Sequence, residues 1–157
     1  MFKSIRQKLT TVLEILVIIA MGVLVLDVLW GVVSRFVLGA QSRWTEELAT
    51  MLLIWASLLG AGAAFGEKGH LGVDYFVKKL HPDAQKIMAC VVVLAVGFFA
   101  GAVMVYGGYE LVSKTLTSGQ VSPAMGLPIG YVYLAVPISG LFVLLYCVED
   151  LVNVLRS

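Results

Sequence analysis

The stretch SRWTEELATMLLIWASLLGAGAAFGEKGHLGVD, residues 42–74, decides the fold. It opens with charge and then carries no charged residue from 48 to 66. At about 1.5 Å per residue, that run matches a hydrocarbon core of about 30 Å. Ser42 or Thr45 is placed to cap the helix, and Glu46 and Glu47 fall in its first turn, where the helix dipole favours anions. Trp44 stands at the boundary, where indole rings prefer to lie. Inside the run, Ala56, Gly60 and Ala64 recur at every fourth position, as do Ser57 and Ala61. Such a smooth face lets another helix approach closely in lipid, so it is expected to lie against a helix of this chain or of a partner. Residues 67–70 then turn the chain at the far surface.

The rest of the chain agrees. Of its 157 residues, 60% are hydrophobic and 13% charged, more apolar surface than a soluble domain of this size can hide. A net charge of +1 argues against a nucleic-acid partner. Cys90 and Cys147 each sit inside an apolar run with no CxxC pattern, so neither a disulfide framework nor a zinc site is expected.

The expected class is an all-α membrane protein, a single membrane domain over residues 1–157. A first transmembrane helix is predicted over 10–38. It is too long, and too interrupted by Asp27 and Arg35, for a signal peptide. Asp27 lies well inside it, at a cost of about 2.5–3.5 kcal/mol on insertion scales. The sequence allows two readings. One is a buried pair with Arg35, Arg43 or a partner chain, or a proton-carrying group; the other is an aspartate near enough to the surface to stay wet. The second helix spans 43–66. Residues 71–81 place Val73, Phe76, Val77 and Leu80 on one helical face and are too few to cross a bilayer, which predicts a short interfacial helix. A third transmembrane helix is predicted over 83–114, with a GxxxG at Gly97 and Gly101. Residues 115–127 form a loop containing TSGQVSPAMGLP, and a fourth helix runs over 128–151 with a kink expected at Pro137.

Orientation follows from the basic residues. With the N-terminus inside, Lys3, Arg6, Lys8, Lys68, Lys78, Lys79, Lys86 and Arg156 are cytoplasmic, and only Arg35, Arg43 and Lys114 are outside. This positive-inside bias predicts both termini and the interfacial helix on the cytoplasmic side of a bacterial inner membrane.

Catalytic chemistry is missing from the pattern. There is no phosphate-binding glycine loop and no nucleophile with a base, and His70 and His81 lie at a surface rather than facing one another within the helices. No catalytic residue, cofactor or metal is expected, and no Gly-broken helix pair of the kind that holds substrate and ions at mid-membrane is visible.

Two blocks together resemble a known family. The first has Arg35 ending the first helix, then Trp44, Glu46 and Glu47, then Trp55, Gly60 and Ala61, then the turn from Gly69 to Asp74. The second runs Ser122-Pro123-Ala124-Met125-Gly126-Leu127-Pro128 and continues with Gly130, Tyr133, Pro137 and Gly140. On these residues the chain resembles the small membrane subunit, the DctQ-like or Q component, of a tripartite ATP-independent periplasmic (TRAP) transporter. The resemblance implies a subunit without a substrate site of its own. Its partners would be a large elevator-type membrane subunit (the M component), a periplasmic substrate-binding protein (the P component) and membrane lipids. It also implies sodium-driven import of organic acids such as C4-dicarboxylates, keto acids or sialic acids. Arg35, Arg43, Trp44, Glu46, Glu47, Trp55, Ala56, Gly60, Ala64, Pro123 and Pro128 are the expected partner-interface residues. One of the two adjacent carboxylates is expected to face Arg35 or Arg43 and the other to face outward. The competing readings are a membrane-embedded enzyme or redox subunit, which would need the missing histidines, thiols and catalytic sets, and a free-standing homo-oligomeric channel or exporter. A stoichiometric large polytopic partner would discriminate against both.

Overall fold

The computed structural model describes residues 2–40, 42–67 and 82–156; the interfacial helix expected over 71–81 lies outside the described residues. Among the described residues, four helical stretches are long and apolar enough to cross a membrane: Arg6–Val37, Arg43–Gly66, Ile87–Thr117 and Gly130–Val154. They comprise α1 (Phe2–Val37), α2 (Arg43–Gly66), α3 (Pro82–Phe98), a π-helical segment (Phe99–Gly107), α4 (Gly108–Thr117), α5 (Gly130–Tyr133) and α6 (Ala135–Arg156). The fold is the expected all-α membrane bundle.

The boundaries differ from the hydropathy reading in places. Rather than starting near 10, α1 begins at Phe2, because its first turns pack onto the ends of α2 and α6 through Arg6 and Thr10. The third span continues past 114 to Thr117, and the fourth starts at Gly130 rather than 128. The fourth span is interrupted at Leu134, between α5 and α6, rather than at Pro137 itself. The cause is the proline: without an N–H, it leaves the carbonyl of Tyr133 unbonded one turn earlier.

Helix order in space follows from the close approaches. Thr10 meets Gly66, Leu13 meets Gly62, Val17 meets Gly60 and Gly31 meets Thr45, so α1 and α2 run antiparallel along their whole length. Cys147 meets Gly97, Leu144 meets Gly101, Met104 meets Gly140 and Pro137 meets Gly108, so α6 runs antiparallel to the third span in the same way. The GxxxG of Gly97 and Gly101 therefore faces α6 at ordinary van der Waals separation, 3.7 Å from an added Cβ in both cases. The central pair is α2 and α6.

Two apolar clusters fill the bundle. Leu13, Leu59, Ala63 and Tyr146 form one, with Trp55 and Phe142 packed on it; Ala100, Val143 and Cys147 form the other. Phe65 touches both and stacks on Tyr146 with ring centroids 6.4 Å apart. The outer face of α1 is the opposite case: Ile18, Leu26 and Phe36 are all more than half exposed. In lipid such side chains are well solvated, so helix contacts here rest on close packing and polar pairing rather than on escape from water.

Candidate functional site

The loop between the third and fourth spans is an ordered clasp. Gly119 and Gly126 take positive φ values of 66° each, which glycine adopts without strain. The Ser122 N–H donates to the Leu127 carbonyl (2.8 Å), Gly126 to Ser122 (2.8 Å) and Ile129 to Gln120 (3.0 Å), while Val121 and Pro128 pair as an isolated antiparallel bridge. Glu47 fastens this loop to α2. Its carboxylate accepts the Ser122 hydroxyl hydrogen and the Ala124 N–H, the latter at 3.1 Å from each oxygen, and the Ser122 oxygen in turn accepts the Met125 N–H at 3.3 Å. Beneath the clasp, an open cleft of about 420 Å³ is lined by Glu46, Met51, Ile54, Ile129, Val132 and Tyr133 among others.

For Glu47 the partner is not an arginine. Glu47 turns to the loop, whose backbone N–H groups need an acceptor, and not to Arg35 or Arg43, both of which are exposed. Glu46 is exposed. Ser42 stands at the N-cap but makes no side-chain capping bond. Thr45 does not cap either: its hydroxyl donates to the Ser42 carbonyl (2.7 Å), and its side chain is pressed inward where Gly31 leaves room.

The small-residue stripe of α2 divides. Ala56 is buried, Gly60 is half-buried beside Val17 of α1, and Ala64 is exposed. The face that α2 buries within the chain is instead Ala56, Leu59, Ala63 and Gly66, whose alternating steps of three and four residues suit left-handed packing. Another face is left open, with Glu46, Thr50, Leu53, Ser57, Ala61 and Ala64 all exposed. Trp55 packs inward on the first cluster, Trp44 and Pro123 are exposed, and Pro128 is half-buried in its bridge.

Sequence reasoning passed over a second polar centre at the opposite end of the bundle. Arg6 is 8% exposed. Its guanidinium donates to Asp150 at 2.6 Å, lies 3.8 Å from Glu149, and donates to the carbonyls of Gly66 (2.8 Å) and Phe65 (3.3 Å) at the end of α2. It also sits over the ring of Tyr146, 5.1 Å from the centroid, and the Tyr146 hydroxyl shares a 3.2 Å hydrogen bond with Thr10. Helix ends leave carbonyls without donors, and a cation there also complements the dipole. One planar fork thus closes α2 and joins α1 to α6. The local signal was its place in α1, one turn before Thr10 and two before Leu13.

At Asp27 the structure narrows the two readings. The residue is buried at 5% exposure, and neither oxygen has a hydrogen-bond partner, so it is neither wet nor paired with Arg35 or Arg43.

Comparison with known proteins supplies the identity behind this geometry. Over 154 residues the chain is 24% identical to the sialic acid TRAP transporter small permease protein SiaQ of Vibrio cholerae, covering 98% of this chain and 87% of that one. It is 29% identical over 158 residues to a putative TRAP transporter small permease protein of Haemophilus influenzae, covering 98% and 93%. It is also 30% identical over 117 residues to the isethionate TRAP transporter permease protein DctMQ of Oleidesulfovibrio alaskensis, matching 74% of this chain but only 18% of that longer protein. Residues 24–157 match the family described as tripartite ATP-independent periplasmic transporters, DctQ component, and the chain, a multi-pass inner-membrane protein, belongs to that family.

Proposed function

We propose that this chain is the small scaffolding subunit of a sodium-driven, binding-protein-dependent importer of organic acids. On this reading both termini are cytoplasmic, and the clasp loop faces the periplasm. The open face of α2 packs against the large transport subunit, while the clasp presents Val121, Pro123 and Leu127 toward the docking binding protein. One observation carries the reading. Apart from Leu53, the face of α2 formed by Glu46, Thr50, Ser57, Ala61 and Ala64 is small or polar, whereas the exposed face of α1 is built mainly from Ile, Leu, Val and Phe. A lipid-facing surface gains nothing from small residues; a close helix neighbour does. The fused relative named DctMQ is consistent with a large partner in the same membrane.

Ala61→Trp tests it. Because Ala61 is exposed, the variant is expected to insert and fold like the parent but to lose co-purification with the large subunit. Normal co-purification would mean that the face looks at lipid. Self-cross-linking through Ala61→Cys, in place of cross-links to a larger protein, would favour a homo-oligomer.

The clasp makes a separate prediction. Glu47→Ala removes the acceptor for Ser122 and Ala124 and frees the loop. Uptake into reconstituted vesicles is expected to fall several-fold at limiting binding protein and to recover as binding protein is raised, with the subunit still assembled. Uptake equal to the parent at every concentration would remove the loop from docking. The same vesicles test orientation, since binding protein must act on the face that bears the clasp.

A further inference from the structure

Asp27 lies ten residues before the end of α1 at Val37, about 15 Å along the helix at about 1.5 Å per residue. It is 5% exposed, and both carboxyl oxygens are sealed from the surface without a donor. It shares the side of α1 that carries Gly31 and Ser34, which meets α2 at Thr45. Among the described residues, none donates a hydrogen bond to either oxygen. On α1 the nearest charged residues are Glu14 and Arg35, the latter exposed. On α2 there are none from 48 to 66; before that run Arg43 and Glu46 are exposed, and Glu47 is turned to the clasp loop. Glu149 and Asp150 of α6 gather around Arg6 at the opposite end.

An ionised carboxylate with no donor is costly in a bilayer interior, and a partner chain has no access to oxygens buried between this chain's own helices. An uncharged carboxylic acid is different. It has a hydrogen to give, and in a helix the carbonyl four residues back is within reach of a short polar side chain. The chain uses that bond at three hydroxyls: Thr50 to Glu46, Thr115 to Leu111 and Thr117 to Ser113. We infer that Asp27 is a proton-binding site of the α1–α2 seam, held as the neutral acid with its O–H directed to the Val23 carbonyl. The site takes a proton and no other ligand.

Asn preserves the shape and the neutral charge, so Asp27→Asn is expected to fold and assemble like the parent. Infrared difference spectra of parent against Asp27→Asn in lipid nanodiscs then isolate this group. The expected result is loss of a protonated-carboxyl C=O band with no loss of carboxylate bands. Loss of carboxylate bands alone would overturn the inference. A second measurement needs no variant. With carboxyl-¹³C aspartate incorporated, Asp27, Asp74, Asp83 and Asp150 are the labelled sites. One solid-state NMR signal is expected at a protonated-acid shift with no contact to water, and its absence would refute the proposal even if Asp27→Asn failed to fold.

Discussion

Arg6→Ala is expected to destabilise the subunit by about 3–5 kcal/mol, the range for removing one member of a buried ion pair. The carboxylates left behind have side chains only 13% (Glu149) and 19% (Asp150) exposed, so solvent replaces the lost guanidinium only in part. The Phe65 and Gly66 carbonyls lose their donors at the same stroke. Unfolding in mixed micelles of rising SDS content, followed by tryptophan fluorescence, measures the loss. Arg6→Lys should recover part of it, because an ammonium restores charge without the planar fork that serves Asp150 and two carbonyls together. Arg6→Met with Asp150→Leu should recover more than either single change, since replacing both partners leaves less buried charge uncompensated. A parent-like curve for Arg6→Ala would reduce the centre to a surface ion pair.

The next largest effect is expected at Gly140. A Cβ built there would stand 2.6 Å from the Met104 Cβ, 3.2 Å from Val105 Cγ2 and 3.4 Å from the Ala100 carbonyl. The nearest of these atoms is fixed to the backbone, so relief requires α6 and the π-helical segment to move apart. Overpacking of this kind costs about 1–3 kcal/mol, and Gly140→Leu should lie at or above the top of that range. Gly60 is the internal control. Its added Cβ would lie 4.0 Å from Val17, so Gly60→Ala should unfold with the parent. The same SDS titration reads both variants, and equal midpoints for Gly140→Leu and Gly60→Ala would contradict the packing.

These two residues also mark the limit of what the chain reveals unfolded. Hydropathy is a property of neighbours along the chain, and it delivers the four spans and the all-α class. Arg6 entered that reading only as one basic residue among others, because Asp150, which turns it into a clamp, is 144 positions away. Glu47 was seen as a first-turn acid, and nothing local ties it to Ser122 at a separation of 75. The recurrence of Ala56, Gly60 and Ala64 at every fourth position is visible in the sequence, but which side of α2 the chain buries depends on how α1 and α6 approach it. Ala64 consequently falls on the open side. The π-helical segment is equally silent in the sequence, since FAGAVMVYG is an ordinary apolar run.

The clamp also imposes an order in time. Arg6 emerges from the ribosome early, and Asp150 follows after 144 further residues, a delay on the order of ten seconds at bacterial synthesis rates. Until then α1 and α2 can pair along their seam, with Arg6 donating to the carbonyls that end α2, but the guanidinium lacks the carboxylates that join it to α6. The end of the bundle where α1, α2 and α6 meet is therefore completed only when α6 arrives.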